Sequence, residues 1–139
     1  MHVRRDVLGS PRNNGAIASP PPGYTTVTPR MFVRDVAGAV AFLREVFGAT
    51  GDVVQGRPAE LRIRECTVIV SDERDRARFP AFLYVYVDDV ADTYGRALAA
   101  GAVGLEEPLD TPYGDRRAMI EDPFGNVFQV ARRLGADGA

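Results

Sequence analysis

The sequence has very little histidine and cysteine, and this scarcity limits the chemistry that the chain can perform. Its only histidine, His2, lies next to the N-terminus, and its only cysteine, Cys66, lies near the middle. One cysteine cannot form an intrachain disulfide, which suits a reducing compartment, so we expect a cytoplasmic protein. The lack of histidine beyond His2 excludes Ser–His and Cys–His nucleophile systems from the rest of the chain.

Long apolar runs, basic stripes and phosphate-binding loops are also missing. No stretch approaches the roughly 20 apolar residues of a membrane span, and the N-terminal residues lack the apolar centre of a signal peptide. The 17 basic and 19 acidic residues are interspersed and give a formal net charge of -2 at pH 7, so no basic stripe is available for phosphates. Neither GxGxxG nor GxxxxGK[ST] occurs. We therefore expect no membrane partner, no nucleic-acid partner and no cofactor.

The length and composition of the chain fit one domain. With 139 residues, 45% of them hydrophobic, it can bury one sizeable core and has no room for a second full domain. The N-terminal residues are rich in proline and glycine and show no apolar period, so we predict a flexible tail over 1–24. The domain then occupies residues 25–134, and residues 135–139 form a C-terminal tail.

One order of elements occurs twice along the chain: a strand, a helix and three further strands. The stretch VRDVA at 33–37 recurs as VDDVA at 87–91, each time between a predicted strand and a predicted helix. A repeat in the same structural context indicates a duplicated βαβββ unit. We predict modules over about 27–71 and 82–131, joined by a linker over 72–81. The first module should have strands at 27–33, 52–55, 59–64 and 67–71 and a helix at 36–47; the second should have a strand at 82–87, a helix at 89–100 and three more strands.

The last two predicted strands, over 116–121 and 127–131, form a hairpin. They are joined by a tight turn with the sequence Asp-Pro-Phe-Gly-Asn at 122–126. Asp-Pro opens such a turn, and Gly-Asn supplies residues that tolerate positive φ.

Alternation along the strands separates two sets of side chains, because successive residues of a strand point to opposite faces. One set is apolar and suits packing under the helices; it comprises Val27, Met31, Val33, Ala59, Leu61, Ile63, Leu83, Val85, Val87, Phe128 and Val130. The other set mixes aromatic and charged residues, which indicates a concave surface, or cup, for a small molecule. The alternative is that Phe82, Tyr84 and Tyr86 fill a core or a dimer interface.

Three stretches carry a resemblance to a known superfamily. They are TPRMFVRDVAGAVAFLREVFGAT at 28–50, FLYVYVDDVADTYGRALAAGA at 82–102 and YGDRRAMIEDPFGNVFQVA at 113–131. Together they resemble the vicinal oxygen chelate (VOC) superfamily of glyoxalases, bleomycin-resistance proteins and extradiol dioxygenases, in particular its small bacterial glyoxalase-like members. The resemblance implies an α+β fold in which two βαβββ modules form a curved mixed sheet of eight strands around a cup. It also implies a homodimer.

The resemblance also identifies the positions at which metal-dependent members bind their ion. Carried over by position, these four places fall on Thr28, Val70, Phe82 and Gln129, and only Gln129 could coordinate a metal. Sites for zinc, iron or nickel need several imidazole or carboxylate ligands. We therefore predict a metal-independent protein rather than a glyoxalase or dioxygenase that uses a metal.

Two functions remain open, and we favour the first. In the first, the chain sequesters a small, aromatic, natural-product-like ligand, as the resistance proteins of the family do. In the second, it is a metal-free isomerase, epimerase, lyase or cyclase in which Glu60 or Glu121 moves a proton. A salt bridge from each carboxylate to Arg30, Arg62 or Arg117 is the alternative to a catalytic role. The predicted ligand-binding residues, expected to converge on one cavity, are Thr28, Arg30, Phe32, Arg62, Phe82, Tyr84, Tyr86, Tyr113, Arg117, Met119 and Gln129.

Overall fold

The computed structural model describes residues 20–75 and 79–135, and these residues form a mixed α+β fold. The strands lie in two sheets, a three-stranded one with the order β1-β3-β2 and a four-stranded one with the order β4-β7-β6-β5. Among these residues no helix is long and apolar enough to cross a membrane. The elements are β1 (Arg30–Val33), α1 (Val36–Phe47), β2 (Ala59–Ile63), β3 (Cys66–Asp72), β4 (Phe82–Tyr86), α2 (Val90–Ala99), β5 (Val103–Asp110), β6 (Asp115–Glu121) and β7 (Val127–Arg133).

The predicted α+β fold class is confirmed, and the two halves of the chain share one pairing scheme. The first strand of each module runs parallel to the last one, β1 to β3 and β4 to β7, and the remaining pairs are antiparallel. The predicted strand over 52–55 is wrong, because this segment is a loop between Gly51 and Gly56, which both have positive φ. Thr50, just before this loop, makes an isolated bridge with Arg62. Seven strands in two sheets therefore replace the expected eight-stranded sheet in the described part of the chain.

Both helices begin at an aspartate, which explains the repeated VRDVA and VDDVA stretches. The side chain of Asp35 accepts a hydrogen bond from the Gly38 N–H at 3.0 Å, and that of Asp89 accepts one from the Asp92 N–H at 3.0 Å. An aspartate at this position satisfies one of the free N–H groups of the first turn. The repeat is thus a helix-capping signal, and α2 begins one residue later than predicted because Asp89 is the cap.

One core joins the two modules. The ring of Phe128 on β7 lies 5.2 Å from that of Phe47 and 6.3 Å from that of Phe42, both on α1. Arg34, just before α1, donates a hydrogen bond to the Pro123 carbonyl at 2.9 Å. The first helix therefore packs on the second module as well as on its own sheet.

The predicted separation of strand faces holds in both sheets. The helix side includes Met31, Leu61, Ile120 and Phe128, each no more than 2% exposed. Val27 is an exception, because β1 begins only at Arg30 and Val27 is 78% exposed.

Candidate functional site

The outer face of the second sheet, the side turned away from the helices, presents rows of side chains across three strands. Its aromatic residues are accessible, since Phe82 is 62%, Tyr84 38% and Tyr86 52% exposed. The strand register gives the rows Phe82 with Val127 and Glu121, Tyr84 with Gln129 and Met119, and Tyr86 with Ala131 and Arg117.

A buried carboxylate, Asp115, organises the tyrosines of this face. Its side chain is 1% exposed, and one of its oxygens, Oδ2, accepts hydrogen bonds from the hydroxyls of Tyr84 at 2.7 Å and Tyr86 at 2.9 Å. The other oxygen, Oδ1, makes no hydrogen bond among the described residues and faces Arg133 Nε at 3.4 Å. The two phenol rings lie 5.4 Å apart and are tilted by 58°. Because both hydroxyls bind one carboxylate, the rings are held in place before any ligand arrives.

A second chain of polar contacts runs beside this carboxylate. Arg117 donates two hydrogen bonds to Glu106 Oε1, at 3.0 Å from Nε and 2.8 Å from a terminal nitrogen. Its other terminal nitrogen donates to the Tyr113 hydroxyl at 2.8 Å. The Tyr113 and Tyr84 hydroxyls lie 3.4 Å apart. We call Tyr84, Tyr86, Tyr113, Arg117, Glu106 and Asp115 the tyrosine cluster.

The protonation states of the cluster follow from these contacts. The hydrogen bond from Tyr84 lowers the pKa of Asp115, and the bond from Tyr86 adds to this effect. Burial raises the pKa of Tyr84, and its hydrogen bonds with Tyr113 and Asp115 raise it further. The hydrogen bond to Asp115 raises the pKa of Tyr86. At neutral pH the carboxylate is therefore charged and both phenols keep their protons.

The outer face of the first sheet carries a separate group of predicted residues. Arg30 Nε donates to Ser71 Oγ at 2.9 Å, and its guanidinium lies 5.2 Å from the centre of the Phe32 ring. A hydrogen bond between Glu60 and Tyr24 raises the pKa of that tyrosine. The segment before β1 thus reaches this face, although we placed Tyr24 in the tail; residues 1–19 lie outside the described residues.

The predicted site residues therefore fall into two groups, one on each sheet. No hydrogen bond or ion pair joins the two groups in the part of the chain that the structure describes. Thr28 belongs to neither, because it precedes β1 and its hydroxyl donates to the Thr25 carbonyl at 3.3 Å. The second sheet carries Phe82, Tyr84, Tyr86, Arg117, Met119, Glu121 and Gln129, with Tyr113 in the turn between β5 and β6, and the first sheet carries Arg30, Phe32, Glu60 and Arg62.

The expected salt bridges of the two candidate catalytic carboxylates are wrong. Neither Glu60 nor Glu121 forms an ion pair with another described residue, and the partner of Arg117 is Glu106. Arg62 instead donates to the Arg64 carbonyl at 3.2 Å. The sequence interpretation missed Glu106 because the bounds and facing of β5 could not be assigned.

Two further members of the site, Asp115 and Arg133, were also missed. We predicted that the strand begins at residue 116, which left Asp115 in the preceding turn, whereas β6 begins at Asp115. Alternation along the strand could have identified Asp115, because residues 115 and 117 are two positions apart and therefore point to the same face, and Arg117 was predicted to face outward. Arg133 lies beyond the predicted end of the last strand and pairs with Asp115 across the sheet.

An apolar groove of about 310 Å³ lies beside the tyrosine cluster, between the two sheets. It is lined by β1, the hairpin between β2 and β3, and β4, with Tyr84 and Tyr86 among the lining residues. The two tyrosines thus border the outer face and the groove at once, and a planar molecule stacked on them would have apolar surface within reach.

The positions at which the family binds metal do not fit a metal here. Val70 pairs with Met31 and Ala59 and is fully buried, so it faces the helices and not the outer side. The position that the resemblance assigns to a metal ligand therefore does not lie on the outer side at Val70; by alternation its neighbours Ile69 and Ser71 do. No group of three or more His, Cys, Asp or Glu side chains among the described residues is placed to hold a metal ion.

Comparisons with known proteins agree with this fold. The family model of the Glyoxalase/Bleomycin resistance protein/Dioxygenase superfamily matches residues 24–130. The crystal structure of TioX from Micromonospora sp. ML1 is 24% identical, with a TM-score of 0.69 over 79% of this chain and 99% of that one. A glyoxalase/bleomycin resistance protein/dioxygenase family enzyme from Burkholderia phytofirmans PsJN is 23% identical, with a TM-score of 0.69 over 77% and 97% of the two chains. An uncharacterised protein of Mycobacterium bovis is 28% identical over 127 residues, covering 76% of this chain and 82% of its own. The chain therefore belongs to the glyoxalase/bleomycin resistance protein/dioxygenase superfamily, the vicinal oxygen chelate superfamily.

Proposed function

We propose that the chain binds a small aromatic molecule on the outer face of the second sheet, without a metal, and acts by sequestration. The observation that supports this most directly is the set of accessible tyrosines fixed around the buried Asp115. The exposed aromatic rings along β4 offer a surface on which an aromatic ligand can stack. Rings that are already fixed lose little conformational entropy when a ligand binds. The side-chain amide of Gln129, in the middle row, makes no hydrogen bond with another described residue, so it is free for a polar group of the ligand.

Stacking residues should dominate the affinity. A thermal-shift screen against aromatic natural products would supply a ligand, and Phe82→Ala should then cost on the order of 1 kcal/mol or more of affinity, as should Tyr84→Ala. Phe82 is the cleaner test, because it makes no hydrogen bond that its removal would disturb. Arg57→Ala, in the exposed loop of the first module, is the control and should leave the affinity unchanged. Equal affinities for wild type and both alanine variants would place these rings in an interface instead.

Metal-free catalysis is the second candidate, and one observation favours it. Glu121 is partly buried, has no ion-pair partner among the described residues and shares a row with Phe82. A carboxylate that no cation holds in an ion pair is available as a general base.

Glu121→Gln and Glu60→Gln separate the two functions, because a binder loses at most one polar contact, whereas an enzyme loses turnover by about 10²-fold or more.

We also propose that the chain forms a homodimer through the free edge of β4. This strand ends the order of its sheet, and its sequence FLYVY contains no charge that would discourage pairing. Every residue of β4 is at least partly exposed, including Leu83 and Val85 on the helix side. A second copy would cover this apolar edge and the side of the groove that β4 lines. One chain has a mass of 15.1 kDa, and light scattering should give twice that mass. A mass of one chain at all concentrations would contradict the proposal.

A cytoplasmic location stays a prediction from the single cysteine.

A further inference from the structure

The hydrogen bonds of the tyrosine cluster hold one phenol proton, that of Tyr113, only weakly. Tyr84 and Tyr86 each have one hydroxyl proton, and both donate it to Asp115. The Tyr113 oxygen accepts from Arg117, so its own proton remains. The nearest acceptor for that proton among the described residues is the Tyr84 oxygen, at 3.4 Å. This hydrogen bond is longer than the normal O–H···O distance of about 2.5–3.0 Å, so it is weak and a better acceptor on a ligand can replace it.

Tyr113 is also well placed and polarised for donation. The residue is 53% exposed at the end of the outer face, beside the ring of Tyr84. Donation from the positively charged Arg117 withdraws electron density from the Tyr113 oxygen and strengthens the bond that its proton can make. A molecule stacked on Tyr84 would bring an oxygen acceptor to this hydroxyl.

The charges of the same face do not favour an anionic ligand. Arg117 is neutralised by Glu106, with a shortest contact of 2.8 Å and side chains that are only 19% and 26% exposed. Arg133 lies beside the buried Asp115 carboxylate. Glu121 adds a negative charge with no cation paired to it in the described part of the chain. A carboxylate or phosphate would meet no free positive charge here.

We propose that this face selects an uncharged aromatic molecule with a carbonyl oxygen, and that the carbonyl accepts the hydrogen bond of Tyr113. The inference rests on the ligand-binding function proposed above and adds the chemical class of the ligand. Tyr113 is then the residue that determines specificity, whereas Phe82 and Tyr84 supply stacking.

Three probes with one ring system test the proposal by equilibrium dialysis: xanthone, xanthene, which lacks the carbonyl, and a xanthone carboxylate. Xanthone should bind about 3- to 10-fold more tightly than xanthene, the range expected for one hydrogen bond. The carboxylate should bind no better than xanthene. In Tyr113→Phe the preference for xanthone should vanish while the affinity for xanthene stays the same. Tyr24→Phe, which removes a phenol hydroxyl from the segment before β1, is the matched control and should keep the preference.

The outcomes separate this inference from the proposed function. Tightest binding by the carboxylate, or an unchanged preference for xanthone in Tyr113→Phe, would overturn the carbonyl assignment and leave aromatic binding in place. No binding of any of the three probes to the wild type would overturn both. Unfolding temperatures of the variants equal to that of the wild type would show that lost selectivity does not come from misfolding.

Discussion

Replacing Phe128 by alanine should lower the free energy of unfolding by about 3–5 kcal/mol, the range found when a buried phenylalanine is truncated. Phe128 is 1% exposed, and its ring lies against Phe42 and Phe47 of the first module. The substitution removes apolar surface and leaves a cavity where α1 meets β7. Urea unfolding, followed by circular dichroism, would measure the loss.

Phe79→Ala is the matched control for this experiment. Phe79 is 74% exposed, so its removal should change the stability by no more than about 0.5 kcal/mol. A single cooperative transition in the wild type would support one shared core. Two separate transitions would show that the modules fold independently, and a loss in Phe128→Ala no larger than in the control would show that Phe128 does not stabilise the core.

Elements that depend on local signals could be predicted from the sequence. Asp35 and Asp89 begin the helices because their side chains accept hydrogen bonds from the first turn. The alternation of Phe82, Tyr84 and Tyr86 gave the correct outer side of β4. The strand expected over 52–55 failed because two valines between glycines fit a short strand and a loop equally well, and only tertiary pairing decides between them.

The site could be predicted only in part, since its centre depends on contacts between distant residues. The apolar and aromatic residues of the strands alternate with a period of two, and this alternation predicted which face each of them occupies. Asp115 receives its hydrogen bonds from Tyr84 and Tyr86 on another strand, and no local pattern shows that. The pairing of Arg117 with Glu106 depends on the register of β5 against β6, which contains irregularities at Gly104, Glu106 and Leu109. A period of two cannot be counted through such shifts.

The Asp-Pro-Phe-Gly-Asn turn carries much of the family resemblance, and its role in this chain is structural. Asp122 Oδ1 accepts hydrogen bonds from the N–H groups of Phe124 at 2.9 Å and Asn126 at 2.8 Å. Asn126 is 1% exposed, and its Oδ1 accepts from the Ala81 N–H at 2.9 Å, directly before β4. The turn therefore fixes the start of the strand that carries Phe82.

Replacing Asn126 by alanine should accordingly lower the stability by about 2–3 kcal/mol, because it leaves the Ala81 N–H and part of the Asp122 carboxylate without their partners. It should also weaken binding of an aromatic ligand, since the position of Phe82 depends on the same contact. Chemical denaturation would measure the first effect and ligand titration the second. Gln55→Ala removes an exposed amide and should change neither by a measurable amount. An Asn126→Ala protein as stable as the Gln55→Ala control would show that the turn holds its shape without this side chain, and the structural role assigned to the family signature would be wrong.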